Sequence, residues 1–383
     1  MKAFRSTALV AGVSLFACAV YVAAQQGPQS QSSETVAKPK KKDTSSDANA
    51  PATDSDLPKI PSKFSTKDKV APAGLPTFKS DVTTVQVDVA VLDNKGRFIP
   101  KIPRGNFRVL EDGVPQPISG FNVGDNAPMT VALVIEFSNL FQQYWTEGWY
   151  QTLVASYGFV ETLKPEDYVA VVAYDLKPEI LSDFTTDRMK TQEALQRLRI
   201  PGFSESNLFD ALVDTEQRMK DIEGRKAIVL IASGRDTFSK LTFDKARRAI
   251  QEAGVPIYAI GLLQALRELM DAYGAMGPIS RLDFLQADNE MKTFAKETGG
   301  QAFFPRFYGE FPGIYRAIQD ALRNQYSISY HPTNQARDGK FRKLKVELVN
   351  PENGEPLKIV ENGKPIKYQI IAKAGYTAPR EVE

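Results

Sequence analysis

Four apolar runs in the middle of the chain constrain its fold more than any other feature. They are "VALVIEF" (131–137), "DYVAVVAYD" (167–175), "AIVLIAS" (227–233) and "VPIYAIG" (255–261). Continuous Val, Ile, Ala and Leu are typical of parallel strands that are covered on both faces. Helical patterns follow at 148–163, 187–198, 207–221 and 242–253. This alternation predicts an α/β fold with a doubly wound, mostly parallel sheet, whose ligands bind beyond the carboxyl ends of the strands.

The segments on either side of this middle part have the period-2 pattern of half-buried strands. The pattern is found at 82–93, 107–113, 116–123, 340–350 and 368–376. Isolated hairpins are only marginally stable, so the two flanks are expected to form one small β-sandwich-like domain. We therefore predict a β-domain in two parts, 77–126 and 336–380, with the α/β domain (127–335) inserted between them.

The first 24 residues have the features of an export signal. Lys2 and Arg5 precede an apolar run (8–24) that ends in small residues, which predicts a signal peptide at 1–24 with cleavage after Ala24. Two alternatives remain, an uncleaved anchor and lipidation of Cys18, and membrane contact is expected only through them. Residues 25–76 have almost no large apolar side chain, which predicts a disordered linker. The protein is expected to be exported, with a periplasmic, cell-surface or extracellular location.

The composition argues against several functional classes. The chain has 48 Lys and Arg against 46 Asp and Glu, so a net charge of +2 gives no reason to expect a nucleic-acid partner. His331 is the single histidine, and no Ser/His/Asp or Cys/His set can be assembled around it. We expect His331 to be a surface residue at a strand end and the protein not to be an enzyme.

Several phrases together resemble a known family. "LKPEDYVAVVAYD", "NLFDAL", "ETGGQAFFP", "LRNQYSISYHPTN" and "DGKFRKLKVEL" are similar to landmarks of the exported, acidobacterial-type subgroup of von Willebrand factor type A domains. The resemblance covers residues 78–376. It implies an α/β domain with a divalent cation at the strand tips, held by a D-x-S-x-S motif, a later hydroxyl and an Asp before a Gly.

That motif, known as MIDAS, is degenerate in this chain. In "EFSNL" Glu136 replaces the Asp, Ser138 is retained and Leu140 replaces the second Ser; Ser206 matches the later hydroxyl, and Ser233 replaces the last Asp. Mg²⁺ prefers six oxygens, of which one or two are carboxylates. Glu136, Ser138 and Ser206 therefore predict at most a weak site for Mg²⁺ or another divalent cation, and the alternative is a solvated Glu136 without a metal. Neither Asp236 nor Glu205 stands at a matching position.

Two further segments indicate a binding surface. The first follows the degenerate motif and is rich in aromatic residues, which dominate protein interfaces. From it and the neighbouring loop we predict a partner-binding set, made up of Tyr144, Trp145, Trp149, Ser233 and Asp236. An equally open interpretation is that Trp149 and Tyr150 begin the next helix and pack into its core face. The second segment, 262–290, has apolar residues at helical spacing, which fits either a helix packed on its own domain or a partner groove or lid.

Together these patterns predict an exported, non-enzymatic interaction or adhesion module. It would bind a protein or a cell-surface polymer at the strand-tip edge, with weak or absent cation binding. Two alternatives remain: a metal-dependent ligand binder or enzyme, and a structural subunit of a cell-envelope assembly.

Overall fold

A computed structural model describes residues 83–94, 96–124, 127–139, 145–198, 203–361 and 363–380, without the side chains of 145–149 and 361. The predicted signal peptide and linker lie outside the described residues. Among the helices that are described, none is both long enough and apolar enough to cross a membrane.

Sixteen strands and seven α-helices are found in this part of the chain. The strands are β1 Val85–Asp93, β2 Phe107–Glu111, β3 Val114–Gln116, β4 Ile118–Val123, β5 Met129–Glu136, β6 Tyr168–Tyr174, β7 Pro178–Thr185, β8 Arg225–Ala232, β9 Ile257–Gly261, β10 Ala302–Phe303, β11 Tyr326–Tyr330, β12 Phe341–Leu348, β13 Ile359–Glu361, β14 Lys364–Ile366, β15 Tyr368–Ile371 and β16 Gly375–Thr377. The helices are α1 Trp145–Glu161, α2 Arg188–Arg197, α3 Leu208–Met219, α4 Phe243–Ala253, α5 Gln264–Ala272, α6 Pro278–Thr298 and α7 Phe311–Arg323.

The centre of the molecule is a six-stranded sheet with the order β10-β9-β8-β5-β6-β7. All neighbours are parallel except β7, which runs antiparallel to β6 at the edge. The four runs predicted as parallel strands are β5, β6, β8 and β9. Strand β7 was not predicted, because "PEILSDFT" is interrupted by polar residues and so lacks the apolar run of its neighbours. The chain order reverses between β5 and β8, which puts the switch point of the sheet there.

Helices cover both faces of this sheet. Apolar side chains of α1, α2 and α7 share one core with the sheet, and those of α3, α4 and α6 share the core on the other face. The predicted fold class, an α/β domain built on a doubly wound and mostly parallel sheet, is confirmed.

The two flanks of the chain form two further sheets. One has the order β15-β1-β11-β4 and the other β16-β12-β2-β3. Their inward side chains share one core, to which β1, β2, β11 and β12 each contribute alternate residues such as Val87, Val109, Ile328 and Val346. A sandwich of two sheets is the arrangement expected for strands with one buried face.

The segment 326–330 belongs to a different sheet from the one that the sequence predicts for it. The sequence assigns "YSISY" (326–330) to the end of the α/β domain, whereas β11 pairs antiparallel with β1 and β4 in the flanking sheet. Its burial alternates along the strand, as in a half-buried antiparallel strand and unlike the central parallel ones. The domain boundaries at 126, 335 and 380 stay predictions.

Candidate functional site at the strand tips

The site is built around Glu136, the last residue of β5, at the switch point of the sheet. Its Oε1 accepts a hydrogen bond from the Ser138 hydroxyl (2.7 Å). Its Oε2 accepts two bonds from Ser233, which follows β8, one from the backbone N–H (2.7 Å) and one from the hydroxyl (2.8 Å). Adjacent parallel strands bring their carboxyl ends to the same edge, which explains why residues 97 positions apart meet here.

The surroundings of Glu136 disfavour its charge, and its partners partly compensate. Burial raises the pKa of the Glu136 carboxyl above its ordinary value of 4.5, while the hydrogen bonds from Ser138 and Ser233 and the charge of Arg235 act in the opposite direction. Ser233, which takes the place of a motif aspartate, therefore supplies two donors to Glu136 where an aspartate would have added a second negative charge.

Ser206 belongs to a neighbouring loop that is joined to the loop after β8. The Ser206 N–H donates to Thr237 Oγ1 (2.9 Å), and its carbonyl accepts from the N–H groups of Thr237 (2.8 Å) and Phe238 (3.0 Å). Asn139, just past β5, donates its N–H to the carbonyl of Phe203 in the same loop (2.7 Å). These backbone bonds hold the three loops together above the sheet.

Two buried hydroxyls at the strand tips lie beside each other and have no hydrogen bond to Glu136. They are the hydroxyls of Ser206 and of Tyr174, the last residue of β6. Burial raises the pKa of the Tyr174 phenol well above its usual value, and the nearby carboxylates of Glu136 and Asp236 raise it further. The phenol therefore stays protonated and offers a neutral hydroxyl at the tips.

Asp236 has a structural role in this arrangement. Its Oδ1 accepts from the Ser239 hydroxyl (2.5 Å) and from the backbone N–H of Phe209 (3.2 Å), in the first turn of α3. Such bonds satisfy the unpaired N–H groups at the start of a helix. Asp236 is half-buried and committed to these bonds, which makes it a poor candidate for direct contact with a partner.

The residues present fit a hard divalent cation poorly. Glu136 is one carboxylate with about four lone-pair sites, and three of them already accept hydrogen bonds. The remaining candidates, Ser138 and Ser206, are neutral hydroxyls. Among the described residues no group of three or more His, Cys, Asp and Glu is placed to hold a metal. Because Mg²⁺ gains its protein affinity mainly from carboxylates, this donor set is too weak in charge to hold it firmly.

Helix α6 packs directly against the site loop. The Phe284 ring contacts two guanidinium groups, with Arg267 at 5.0 Å and Arg235 at 5.6 Å from its centroid. Arg235 also lies 3.6 Å from Asp283. Gly234 (φ +84°) has no room for a Cβ, which would lie 2.4 Å from the methyl carbon of Met291. The loop after β8 and helix α6 therefore form one fitted unit.

The segment 262–290 is two helices, where the sequence predicts one amphipathic stretch. Gly274 and Gly277 lie between α5 and α6, and glycine disfavours a continuous helix. Leu262 and Leu263 are buried, but a set of large apolar side chains is exposed, and we call this set the tip apolar surface: Leu269, Tyr273, Ile279, Leu282 and Leu285. Both interpretations stay open, because Leu262 and Leu266 pack on their own domain while these five side chains lie outside that contact.

The aromatic segment is only partly described. Tyr144 lies outside the described residues, as do the side chains of Trp145 and Trp149, although both tryptophans belong to α1. Tyr150 is exposed and its ring stands edge-on to Tyr308 (5.3 Å between centroids), so it does not pack into the core. The assignment of Tyr144, Trp145 and Trp149 to partner binding stays a prediction.

The sequence did not identify Arg235, Phe284 and Arg267 as site residues. Arg235 stands two residues after Ser233, and that proximity was the one available signal. Phe284 and Arg267 come from two helices whose relative position depends on the loop 273–277, so no spacing in the sequence relates them to the tips.

Several solved structures are similar to parts of this chain. A vWF domain of the pili tip protein Mfa5 from Porphyromonas gingivalis is 15% identical, with a TM-score of 0.39, over 51% of this chain and 97% of that one. A von Willebrand factor type A protein from Catenulispora acidiphila is 12% identical, with a TM-score of 0.40, over 78% and 76%. Proximal thread matrix protein 1 from the mussel byssus is 11% identical, with a TM-score of 0.39, over 52% and 49%, so this chain spans about half the length of that protein.

No curated protein sequence matches the chain. A family model does: residues 132–304 match the von Willebrand factor type A domain. This range begins within β5 and ends just after β10, and so includes the whole strand-tip site. The strand-tip site thus lies within the part of the chain that matches the von Willebrand factor type A domain model.

Proposed function

We propose that this protein is an exported, non-enzymatic interaction or adhesion module, which binds a protein partner at the strand-tip edge with weak or absent divalent cation binding. The observation that carries the proposal is the tip apolar surface on α5 and α6. Ile279 is 76% exposed, Leu282 66% and Tyr273 80%. Large apolar side chains grouped on an exposed surface mark sites of protein–protein interaction.

The position of this surface links it to the site. Helix α5 begins three residues after β9, and the first half of α6 reaches the loop after β8 through Arg235, Asp283 and Phe284. Phe203 and Phe238, in the loops joined to Ser206, are also exposed. A partner seated on α5 and α6 would therefore also cover the hydroxyls and the carboxylate at the strand tips.

The chemistry of the site supports binding more than catalysis. Glu136 faces N–H and O–H donors that hold it in place, and no imidazole or thiol is near enough to exchange a proton with it in the described part. His331 lies at the end of β11 in the flanking sheets, is exposed, and is 3.3 Å from the Thr84 hydroxyl through Nδ1. A fixed polar centre beside exposed apolar side chains is typical of a recognition surface.

Site-specific photo-crosslinking in cells of the source organism tests this proposal. A photoreactive phenylalanine analogue replaces Leu282 in the full chain, and the matched control carries it at Met189. The two positions are equally exposed, at 66% and 65%, but Met189 follows β7 at the opposite edge of the sheet. We expect a discrete protein adduct from position 282 that is missing from position 189.

Identical adducts at the two positions, or none from position 282, would contradict a partner site on α5 and α6. An adduct with a second copy of the chain would redefine the partner as this protein itself. Irradiation of a cell lysate with and without added Mg²⁺ should give the same adduct yield, since the proposed contact does not depend on a cation.

A further inference from the structure

A second feature of the molecule, away from the strand tips, is a cleft between α6 and the flanking sheets. Its volume is about 560 Å³. Four lysines line it, two from α6 (Lys292, Lys296), one from β12 (Lys345) and one from the turn between β15 and β16 (Lys373). Its floor is apolar and includes Leu344, Val346, Ile370 and Ala372.

The positive charge of this cleft is largely uncompensated. Lys345 pairs with Glu347 (2.8 Å), but among the described residues no carboxylate lies within ion-pair distance of Lys292, Lys296 or Lys373. Lys373 is half-buried, and burial lowers the pKa of its ammonium group while Asp88 acts in the opposite direction. Because Asp88 forms no ion pair with Lys373, an anion in the cleft could pair directly with this partly buried ammonium group.

The acidic groups nearby are already engaged. Glu297 accepts from Arg247 Nε (2.7 Å) and from Gln251 (2.7 Å) on the far side of α6. Asp88 accepts from the Ser327 hydroxyl (2.7 Å) and from Gln86 (3.3 Å). These bonds hold both carboxylates, so Lys296 and Lys373 are left for a ligand from outside, while Lys292 lies 4.8 Å from the centroid of the Phe304 ring and keeps its charge without an ion pair.

The walls of the cleft contain free strand edges. Strand β15 is the edge of its sheet, and β16 pairs with β12 only along Phe341–Lys343. On that edge of β12, Leu344 donates to the Ala374 carbonyl (2.8 Å) and Leu348 accepts from Leu357 (2.9 Å). Backbone groups alternate in direction along a strand, so Val346 lies between them with its N–H and C=O on the same edge, where no described strand pairs.

The cleft is also rigid, which reduces the entropic cost of binding. The Ala374 N–H donates to the Glu297 carbonyl (2.9 Å), and this bond ties the turn to α6. A Cβ at Gly299 would lie 2.7 Å from the backbone nitrogen of Lys373, so the end of α6 and the turn are in direct contact. Preformed sites lose less freedom on binding than sites that must order first.

We propose that this cleft binds an extended acidic peptide segment of another protein, in which acidic and apolar side chains alternate. Its backbone would bond to the free edge of β12 or β15, its apolar side chains would lie on the floor, and its carboxylates would meet Lys373, Lys296 and Lys292. Strand addition of this kind uses main-chain bonds for affinity and alternate side chains for specificity. A polyanion without a peptide backbone could pair with the lysines but could not form hydrogen bonds with the strand edge.

Fluorescence anisotropy with defined probes tests the proposal on the full chain. The probe is a labelled, blocked hexapeptide of sequence Glu-Val-Glu-Val-Glu-Ile, measured at several salt concentrations. We expect saturable binding that weakens as salt rises, because charges on exposed lysines are screened. Lys373→Gln should weaken binding about tenfold and Lys296→Gln about threefold, while Lys190→Gln, on the exposed surface of α2, should leave the affinity unchanged.

Two further probes separate the peptide from other anions. A version of the hexapeptide methylated on alternate backbone nitrogens keeps the charge but cannot pair with a strand edge, and we expect it to bind at least about tenfold more weakly. Polyphosphate and an acidic polysaccharide should compete poorly. Equal binding of the methylated peptide, or tighter binding of either polymer, would overturn the peptide proposal. So would unchanged affinity in both Lys373→Gln and Lys296→Gln, provided that circular dichroism shows both variants folded.

Discussion

The two ends of the six-stranded sheet each hold a buried or half-buried carboxylate, and the two are compensated in different ways. At the amino ends of the strands, Asp167 accepts from the N–H groups of Met129 (3.0 Å) and Lys164 (2.8 Å) and pairs with Arg323 of α7. At the carboxyl ends, Glu136 has only neutral donors in direct contact. The amino end is thus closed by a charge pair that joins a helix to two strands, whereas the carboxylate at the carboxyl end is held by neutral donors alone.

A third buried carboxylate extends the comparison. Glu216 of α3 is fully buried, and its Oε2 accepts one N–H, from Val255 (3.1 Å), while Oε1 has no partner in the described part of the chain. The three groups form a series in which compensation decreases from a charge pair, through three neutral donors, to one donor. The series predicts how the protein responds when each carboxylate is removed.

Asp167→Ala should have the largest effect. It leaves the largely buried guanidinium of Arg323 without its partner and frees two N–H groups, and breaking a buried pair in this way costs about 3–5 kcal/mol. The measurement is the free energy of unfolding in urea. Glu166→Ala, at the exposed neighbouring residue, is the matched control and should cost less than about 1 kcal/mol. Equal effects of the two substitutions would mean that the amino end is not closed by this pair.

Glu136→Ala should have an intermediate effect, with a loss of about 1–3 kcal/mol, because the Ser233 N–H and two hydroxyls lose their acceptor. Ser138→Ala removes one donor only and should cost less. Thermal melting of the wild type and of Glu136→Ala, with and without Mg²⁺ or Mn²⁺, tests for a bound metal. We expect no cation-dependent rise in the melting temperature of either protein, and a rise in the wild type that is lost in Glu136→Ala would show a functional metal site.

Much of the fold could be predicted from the sequence, because its signals are local. Val131–Ile135 and Ile228–Ile231 are continuous apolar runs, and such runs indicate buried parallel strands without further information. Strand β7 and the pairing of β11 could not be predicted in the same way. Both depend on which edge is left open in a sheet, and this is a property of the assembled molecule.

The candidate site shows the same division. The sequence placed Glu136, Ser138, Ser206 and Ser233 together through the motif, and the structure brings Glu136, Ser138 and Ser233 into hydrogen-bond contact with Ser206 in an adjoining loop. The sequence could not show that Ser233 donates two hydrogen bonds to Glu136, because one of them depends on the direction of a backbone N–H. The lysine cleft also has no local signal, since its four lysines come from three separate elements.

Glu216→Gln should change the free energy of unfolding by less than the two substitutions above. At neutral pH it should stabilise the protein, whereas they destabilise it. Burial raises the pKa of the Glu216 carboxyl well above its ordinary value of 4.5, while the bond from Val255 and the charge of Lys226 act against this. A raised pKa means that the folded state holds its proton longer than the unfolded state. The contribution of Glu216 to the stability of the folded state is therefore fully present below pH 4.5 and is lost as pH rises through the folded-state pKa.

The measurement is the difference in unfolding free energy between Glu216→Gln and wild type from acidic to neutral pH. As pH rises, the unfolding free energy of the variant should increase relative to that of the wild type by at least about 1 kcal/mol, since one unit of pKa shift corresponds to about 1.4 kcal/mol. Glu252→Gln, at an exposed position on α4, is the control and should give a flat difference. If the difference in unfolding free energy for Glu216→Gln were also independent of pH, Glu216 would not be the least compensated carboxylate of the three.

The smallest effect on stability is expected from the double substitution Ile279→Asp and Leu282→Asp. Both side chains are exposed on the first half of α6, and substitutions at exposed sites usually change stability by less than about 0.5 kcal/mol. An unchanged melting temperature, together with loss of the adduct formed from a photoreactive group at position 285, would show that these side chains serve a partner. A fall of several degrees would show instead that this half of α6 is held by its own domain. The carboxyl end would then be closed like the amino end, by packing in place of a charge pair, and the contrast between the two ends would no longer explain where the protein binds.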